Sequence, residues 1–484
     1  MDSPPATSRH PALSPGPAPD SAVMRAVLGG SFATLATECP SPVVLPVTAG
    51  ALPASLQGVH LRNGPGRSRR GGVVYGHPFD GDGFLQRFSF DGDVARYSAR
   101  FVRTREFMAE EAAGRMLHRG FGTNLPGGLW ANALRMRFKN AANTSIVQHA
   151  GVTLALWEGG IPHRFDPSTL ETLGRYTFDG ALLARGPIDR IMAPERPFSA
   201  HPCVDEETGE LWNFGTAYGL RHKLLVYRVD ATGTLHTRAI PMDRLPFVHD
   251  MALTRRFAVF VLPATRFDVP ATLLGQKTPV ASLQMDDAPG EALLVPRDGG
   301  PVIRVPVPPG FVFHWADARE EGERVVMEGV KYDSFPALDA LDGIFDRPAA
   351  PELLAKPVRL TLDLATCTAQ EDTLSSHSME LPTAVGEGRA RVLVGVGAPP
   401  ERPHPFLSCI VRLDAEGGVT SRDFYPHLPG EPVAAGDHLL VPVYRHDAPA
   451  WLQILSATDL STVACLELPH PVPSPLHGTW SPAD

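Results

Sequence analysis

Residues 201–240, HPCVDEETGELWNFGTAYGLRHKLLVYRVDATGTLHTRAI, decide the reading of the fold. ELWNFGTA and KLLVYRV are short, apolar and rich in aromatic and β-branched residues, which favours strands over helices. DEETG and DATG stand before and after them, and an Asp followed by Thr and Gly makes a tight turn. Strand, turn, strand is an antiparallel hairpin. The same unit recurs along the chain: GVTLALWEGG leads to IPHRFDPSTLETLGRYTFDG, and later come RRFAVFVLP, VRLTLDLATCTAQEDTL, RVLVGVG, CIVRLDAEGGVTSRDF, HLLVPVYR and WLQILSATDLSTVACLELP. So many antiparallel units in one chain predict an all-β fold of the β-propeller type, rather than a sandwich or barrel. No strict repeat of the WD kind occurs, so periodicity leaves the number of blades open.

Working outward, no linker divides the chain, which predicts one domain over residues 26–484. Residues 1–25 begin MDSPPATSRHPALSPGPAPDS and read as a disordered Pro/Ser/Ala tail, without the basic start and apolar run of a secretory signal. MRAVLGGSFATL after it suits a short helix. The best helix candidate is residues 103–119, including REFMAEEAAGRMLHR, with Gly120 or Gly122 as its stop.

Composition narrows the function. With 484 residues and 43% hydrophobic content, a large core is available. The net charge of -9 argues against a nucleic-acid partner. The five Cys are scattered without a CxxC pair, which points to a reducing, cytoplasmic setting and to no zinc ribbon. No apolar run reaches the roughly 20 residues of a membrane span. There is no phosphate-binding Gly loop ending in GK[ST] and no GxSxG elbow. HPFDGDG carries Asp80 and Asp82 but lacks the ligand run of a calcium loop.

Four of the eighteen His stand apart: His201 in FSAHPCVD, His249 in LPFVHDMALT, His314 in GFVFHWADARE and His477 in PLHGTW. Each lies among apolar or small residues, and a buried imidazole must satisfy its nitrogens or lower its pKa. Four such rings could meet at a propeller axis. A lone His beside an apolar run is more often a hydrogen-bonded core residue, and the spacing here fits no local metal motif.

The words around these residues carry more. Asn63-Gly64-Pro65, HPFDGDG, FKNAANTS, ALWEGGIPHRFDP, SAHP, FVHDMALT, LVPRDGG, GFVFH, MELP, GEPV and LHGTW occur in the order seen in carotenoid cleavage oxygenases. From about residue 55 to Trp480 the chain resembles that family, above all its bacterial retinal-forming apocarotenoid oxygenases.

The resemblance implies a seven-bladed β-propeller with loops and short helices capping the metal-bearing face. It implies one Fe(2+) per chain on His201, His249, His314 and His477, with O2 as co-substrate. Imidazole suits iron. Glu158, Glu380 and Glu431 would accept the N–H groups of His249, His314 and His477, fixing tautomer and ring orientation. Thr144 would place its methyl beside an open metal position. Trp157, Phe247 and Phe313 would line an apolar tunnel. Phe121, Leu125, Leu129, Trp130 and Leu134 correspond to a nonpolar patch that dips into a membrane surface to collect substrate, giving a cytoplasmic, peripherally membrane-associated protein with no obligate protein partner.

The implied reaction is dioxygenase cleavage of a conjugated C=C bond in an apocarotenoid or carotenoid, yielding two carbonyl products. Stilbene- and vanilloid-cleaving relatives usually carry Lys where this chain has Trp157, and an indole suits a polyene better than a phenolate. Two rival readings stand beside it: cleavage of a stilbene or phenylpropenoid, and a non-catalytic propeller that binds lipid or carotenoid. Trp315 and Leu381 depart from residues common in the family, and the stretch after Glu431 is short, which bears on pocket shape rather than on the metal ligands.

Overall fold

In the computed structural model, residues 35–484 are described apart from 136, 185, 187–193, 218–221, 245–246, 335–353, 387–390, 399, 401–406, 447, 474–475 and 484. Residues 23, 26–27 and 29–31 are also described. The expected tail over 1–25, Val23 excepted, lies outside them.

Seven antiparallel sheets of four or more strands form the blades of a propeller. The hairpin that opened the sequence is the third blade: Cys203–Asp205, Glu210–Ala217, His222–Val229 and Leu235–Met242. The second runs from Ser145–His149 to Thr172–Arg175. The fourth runs from Ala252–Leu253 to Ile303–Val307, the fifth from Phe311–Glu321 to Thr368–Thr373, and the sixth from Ser378–Val385 to Val419–Asp423. The first strand of each blade touches the first strand of a neighbouring blade along most of the ring, so these strands line the axis.

Both chain ends close the ring. The last strand, Gly478–Pro482, pairs with Gln57–Arg62 and becomes the innermost strand of the first blade. Near the N-terminus, Val47–Gly50 pairs with Thr462–Glu467 at the rim of the seventh blade, while Cys39–Val44 pairs with Ala95–Phe101 at the rim of the first.

Among the described residues the core is divided between the blades. The pleat sends alternate side chains of a strand to opposite faces, and each face of a blade packs on a different neighbour. In the third blade Leu211, Leu225 and Tyr227 pack toward Leu154 and Leu156, whereas Trp212, Phe214 and Val226 pack toward Phe260 and Leu293. Middle strands such as Phe257–Leu262 are therefore apolar on both faces, and their sequence shows a run rather than an alternation.

The connections differ sharply between the two ends of the blades. At one end they are tight turns, such as 150–151, 206–209, 230–234 and 322–323. At the other end lie the long stretches 102–144 and 263–289, together with 64–81. Strand alternation puts these long connections at the end where the innermost strands begin. The short helices Arg105–Ala113, Gly128–Asn132, Val269–Leu273 and Pro279–Ser282 lie on these long connections.

The helix expected over 103–119 is shorter. It spans Arg105–Ala113, with the Thr104 hydroxyl accepting the Phe107 N–H at its start and Gly114 in the left-handed conformation at its end. Gly114 supplies the C-terminal stop three positions after Glu111, whose carbonyl its N–H caps. Beyond it, Glu110 accepts the N–H groups of Leu117 and His118, which holds the chain in a turn.

Candidate metal centre

The four singled-out histidines start four innermost strands. His201 precedes Cys203–Asp205, His249 precedes Ala252–Leu253, His314 lies within Phe311–Glu321 and His477 precedes Gly478–Pro482. Because these strands begin at one end of the axis, residues far apart in sequence meet there. Ring centroids are 4.4 Å apart for His201 and His249, 5.3 Å for His201 and His314, and 4.9 Å for His201 and His477. His314 is 5.2 Å from His249 and 5.1 Å from His477.

The three glutamates stand behind three of the rings. His314 Nδ1 is 2.7 Å from Glu380 Oε2, and His477 Nδ1 is 2.8 Å from Glu431 Oε1. His249 Nδ1 is 2.5 Å from Glu158 Oε1, an approach out of line for a hydrogen bond. The pairing matches what the resemblance implied. With Nδ1–H given to a carboxylate, Nε2 is left as a lone pair directed elsewhere.

That lone pair is the test of a metal. Nε2 of His201 and of His314 are both buried and meet no hydrogen-bond partner. A buried polar atom left unpaired is costly, and the nitrogens of His201, His314 and His477 all lie within 4.8 Å of one another. Neutral imidazoles crowded around a small gap are what a cation of the iron or zinc type satisfies.

Burial first, then the neighbouring His249, His477 and His314, hold the His201 ring well below its usual pKa, so it stays neutral. For Glu380 and Glu431, burial pushes the pKa up, but His314 and His477 respectively, with the hydrogen bonds they donate, outweigh it and lower both carboxyls. Glu380 in turn outweighs the effect of burial on His314 and raises its pKa.

Thr144 stands at the start of Ser145–His149, buried, and its carbonyl accepts the His477 N–H at 3.2 Å. Its hydroxyl donates to Asn143 Oδ1 at 3.1 Å. Phe313 sets its edge against the His249 ring, 4.8 Å between centroids. Phe247 stacks on Phe311 at 5.5 Å, half-buried against the cluster that holds Phe311 and Phe313. Trp157 lies over Gly159 and Gly160, where an added Cβ would fall 2.6 and 3.0 Å from the indole.

The five patch residues do not form one exposed set. Trp130 is 98% exposed, and Leu129 and Leu134 are also exposed. Phe121 is half-buried, its N–H on Asp80 Oδ1 and its ring centroid 5.9 Å from that of His77, and Leu125 is half-buried with its backbone bonded to Asn132. A second segment joins them: Val269 and Leu274 are exposed on the neighbouring connection. Arg119 binds the two together, donating to the carbonyls of Asn132, Arg135, Thr272 and Lys277.

Several residues near the centre escaped the sequence reading. Asp250, next to His249, accepts the Trp315 N–H beside His314 at 2.7 Å and so ties two ligand-bearing strands. Arg62 reaches Glu431 from the first blade. Charged residues inside apolar words were the available signal. Asp80 and Asp82 form no ion site: Asp80 caps the Phe121, Gly122 and Thr123 donors, and Asp82 pairs with Arg70 and Lys139.

Comparison with known proteins agrees with this geometry. The family model described as Retinal pigment epithelial membrane protein matches residues 32–482. Apocarotenoid-15,15'-oxygenase of Synechocystis is 35% identical over 461 residues, covering 89% of this chain and 92% of that protein. Isoeugenol monooxygenase of Pseudomonas nitroreducens is 28% identical over 468 residues, covering 90% and 93%. The structure of cobalt-substituted Synechocystis ACO superposes with a TM-score of 0.86 at 31% identity, covering 96% of this chain and 99% of that one.

Proposed function

Since the chain belongs to the Retinal pigment epithelial membrane protein family, that of the carotenoid cleavage oxygenases, we propose that it cleaves a conjugated C=C bond of an apocarotenoid or carotenoid with dioxygen. The observation that carries this reading is the meeting of the His201, His249, His314 and His477 rings, with Nε2 of His201 and of His314 buried and without a hydrogen-bond partner. These four residues would hold Fe(2+). When bound, ferrous iron supplies the route by which triplet dioxygen reacts with a singlet alkene. Each carbon of the broken bond takes one oxygen atom, so two carbonyls form and no outside reductant is needed.

The chain's own residues do the rest. Glu380 and Glu431 keep the Nδ1 protons of His314 and His477 in place and those rings oriented, while Glu158 sets its carboxylate beside His249 Nδ1. The Thr144 hydroxyl is turned to Asn143, which leaves its methyl as the apolar end. Trp157 and Phe313 offer aromatic faces to a polyene and exclude water.

The exposed Leu129, Trp130, Leu134, Val269 and Leu274 lie on connections at the metal-bearing end. Such an apolar surface supports peripheral docking on a bilayer, from which a polyene would be drawn. No helix among the described residues is long and apolar enough to cross a membrane.

The likeness to isoeugenol monooxygenase supports a second reading, cleavage of a phenylpropenoid. Trp157, in the place of a phenol-binding Lys, weighs against it. The deciding experiment loads purified protein with Fe(2+) anaerobically and offers it an apocarotenal, then isoeugenol, in air, with His249→Ala alongside. Aldehyde from the apocarotenal, lost in the variant, is the expected result. Product from isoeugenol alone would replace the polyene reading, and no bound iron would leave a lipid-binding propeller.

A further inference from the structure

Arg62 ends the strand Gln57–Arg62 and is fully buried, 0% exposed. Its Nη1 donates to the Glu431 carbonyl at 3.0 Å, and its Nη2 donates to the Leu476 carbonyl at 3.1 Å. Nη2 also lies 3.5 Å from Glu431 Oε2. Glu431 sits in a break of its blade's innermost strand, between Leu428–Pro429 and Val433–Ala435, where ladder hydrogen bonds do not hold it. Leu476 directly precedes His477. One guanidinium thus joins the seventh blade to the closing strand at the point where both reach the metal site.

The arrangement is peculiar to this arm. Glu431 Oε1 receives His477 Nδ1–H and Oε2 receives the Gly478 N–H at 2.8 Å. Among the described residues, neither Glu158 nor Glu380 is paired with an Arg or Lys. A buried ion pair adds little stability over an apolar pair of the same size. Its use here therefore points to geometry. The rigid fork of Arg presents two nitrogens at a fixed spacing to carbonyls on different segments, whereas a Lys ammonium would have to reach both from a single nitrogen.

We propose that Arg62 is a positioning residue for the metal centre, clamping Glu431 and the peptide before His477 so that His477 Nε2 faces the metal. The proposal rests on the metal-site reading above. Arg62 touches neither metal nor substrate and acts through Glu431 and His477. The clamp also ties a ligand near the end of the chain to a strand from its beginning.

The test uses Co(2+) binding to the full-length protein, measured by chelator competition and by the visible cobalt spectrum. Arg62→Lys keeps the charge and loses the fork; Arg62→Met loses both. Both variants are expected to bind Co(2+) at least about 10-fold more weakly than wild type, Arg62→Met more so, with an altered cobalt spectrum and faster amide exchange at Gly478. On a Glu431→Gln background the further loss from Arg62→Lys should shrink, because the two act through one arm. Wild-type affinity and spectrum in Arg62→Lys would overturn the proposal even if Arg62→Met fails to fold. So would losses that simply add on the Glu431→Gln background. Wild-type protein that binds no Co(2+) would instead remove the metal-site reading, and the clamp with it.

Discussion

Three carboxylates have similar tasks but different surroundings. Glu380 is buried and bonded to His314 and to the Leu381 N–H. Glu158 is 35% exposed on its side chain and off the hydrogen-bond line of His249. Glu380→Gln, whose amide can offer an N–H toward a ring nitrogen that also carries one, should weaken metal binding by about 10- to 100-fold. Glu158→Gln should cost less, and metal titrations of the two variants make the comparison. Trp157 gives a prediction about substrate. A methyl at Gly159 would strike the indole, so Gly159→Ala should shift it and raise the KM for a polyene while leaving metal content unchanged. Steady-state kinetics beside a metal assay read both effects.

At the scale of elements, the helix Arg105–Ala113 lies on a buried ion network. Lys139 Nζ is 2.5 Å from Asp82 and 3.0 Å from Glu110, and Arg70 Nη2 is 2.9 Å from Asp82. Removing the helix cap with Thr104→Ala should cost about 1 kcal/mol of stability, read from urea unfolding. Glu111 on the same helix is held down to about 2 by its hydrogen bonds to Arg70 and Arg67. Its folded pKa is therefore depressed, so the stability it contributes is present above the ordinary value of 4.5 and is lost as pH falls toward 2. The gap in urea midpoint between wild type and Glu111→Gln should accordingly close between those pH values. A gap that stays constant would show that the interaction is not one of charge. The patch belongs to this scale as well, since Arg119 ties its two segments together. Trp130→Glu should reduce flotation with liposomes without changing cleavage of a detergent-dispersed substrate.

For the whole molecule, the four histidines meet only when the ring is closed. His477 stands just before the last strand, which pairs with Gln57–Arg62, while the other three histidines come from the third, fourth and fifth blades. Metal binding and closure should then be linked, because a ligand that binds only the closed form stabilises it. Chelation is expected to lower the thermal midpoint and speed amide exchange in Gly478–Pro482, and added Fe(2+) or Co(2+) should restore both. A chain ending at residue 473 should hold no metal.

The sequence by itself determined the all-β class, through its acidic turns and short apolar runs, because turn chemistry is local. It also marked the four histidines, the three glutamates and their pairing, through ordered words resembling those of a known family. Only the tertiary structure decided what depends on distant strands meeting. Hairpins look alike in whatever ring they stand, and middle strands buried on both faces lose the alternation that would count blades. Arg62 and Asp250 acquire their roles from partners on other blades, so no neighbouring residue announces them. Phe121 and Leu125, apolar like Leu129, Trp130 and Leu134, are half-buried where Asp80 and Asn132 hold their backbone, and Val269 and Leu274 join the surface from a segment that lies close only in the fold.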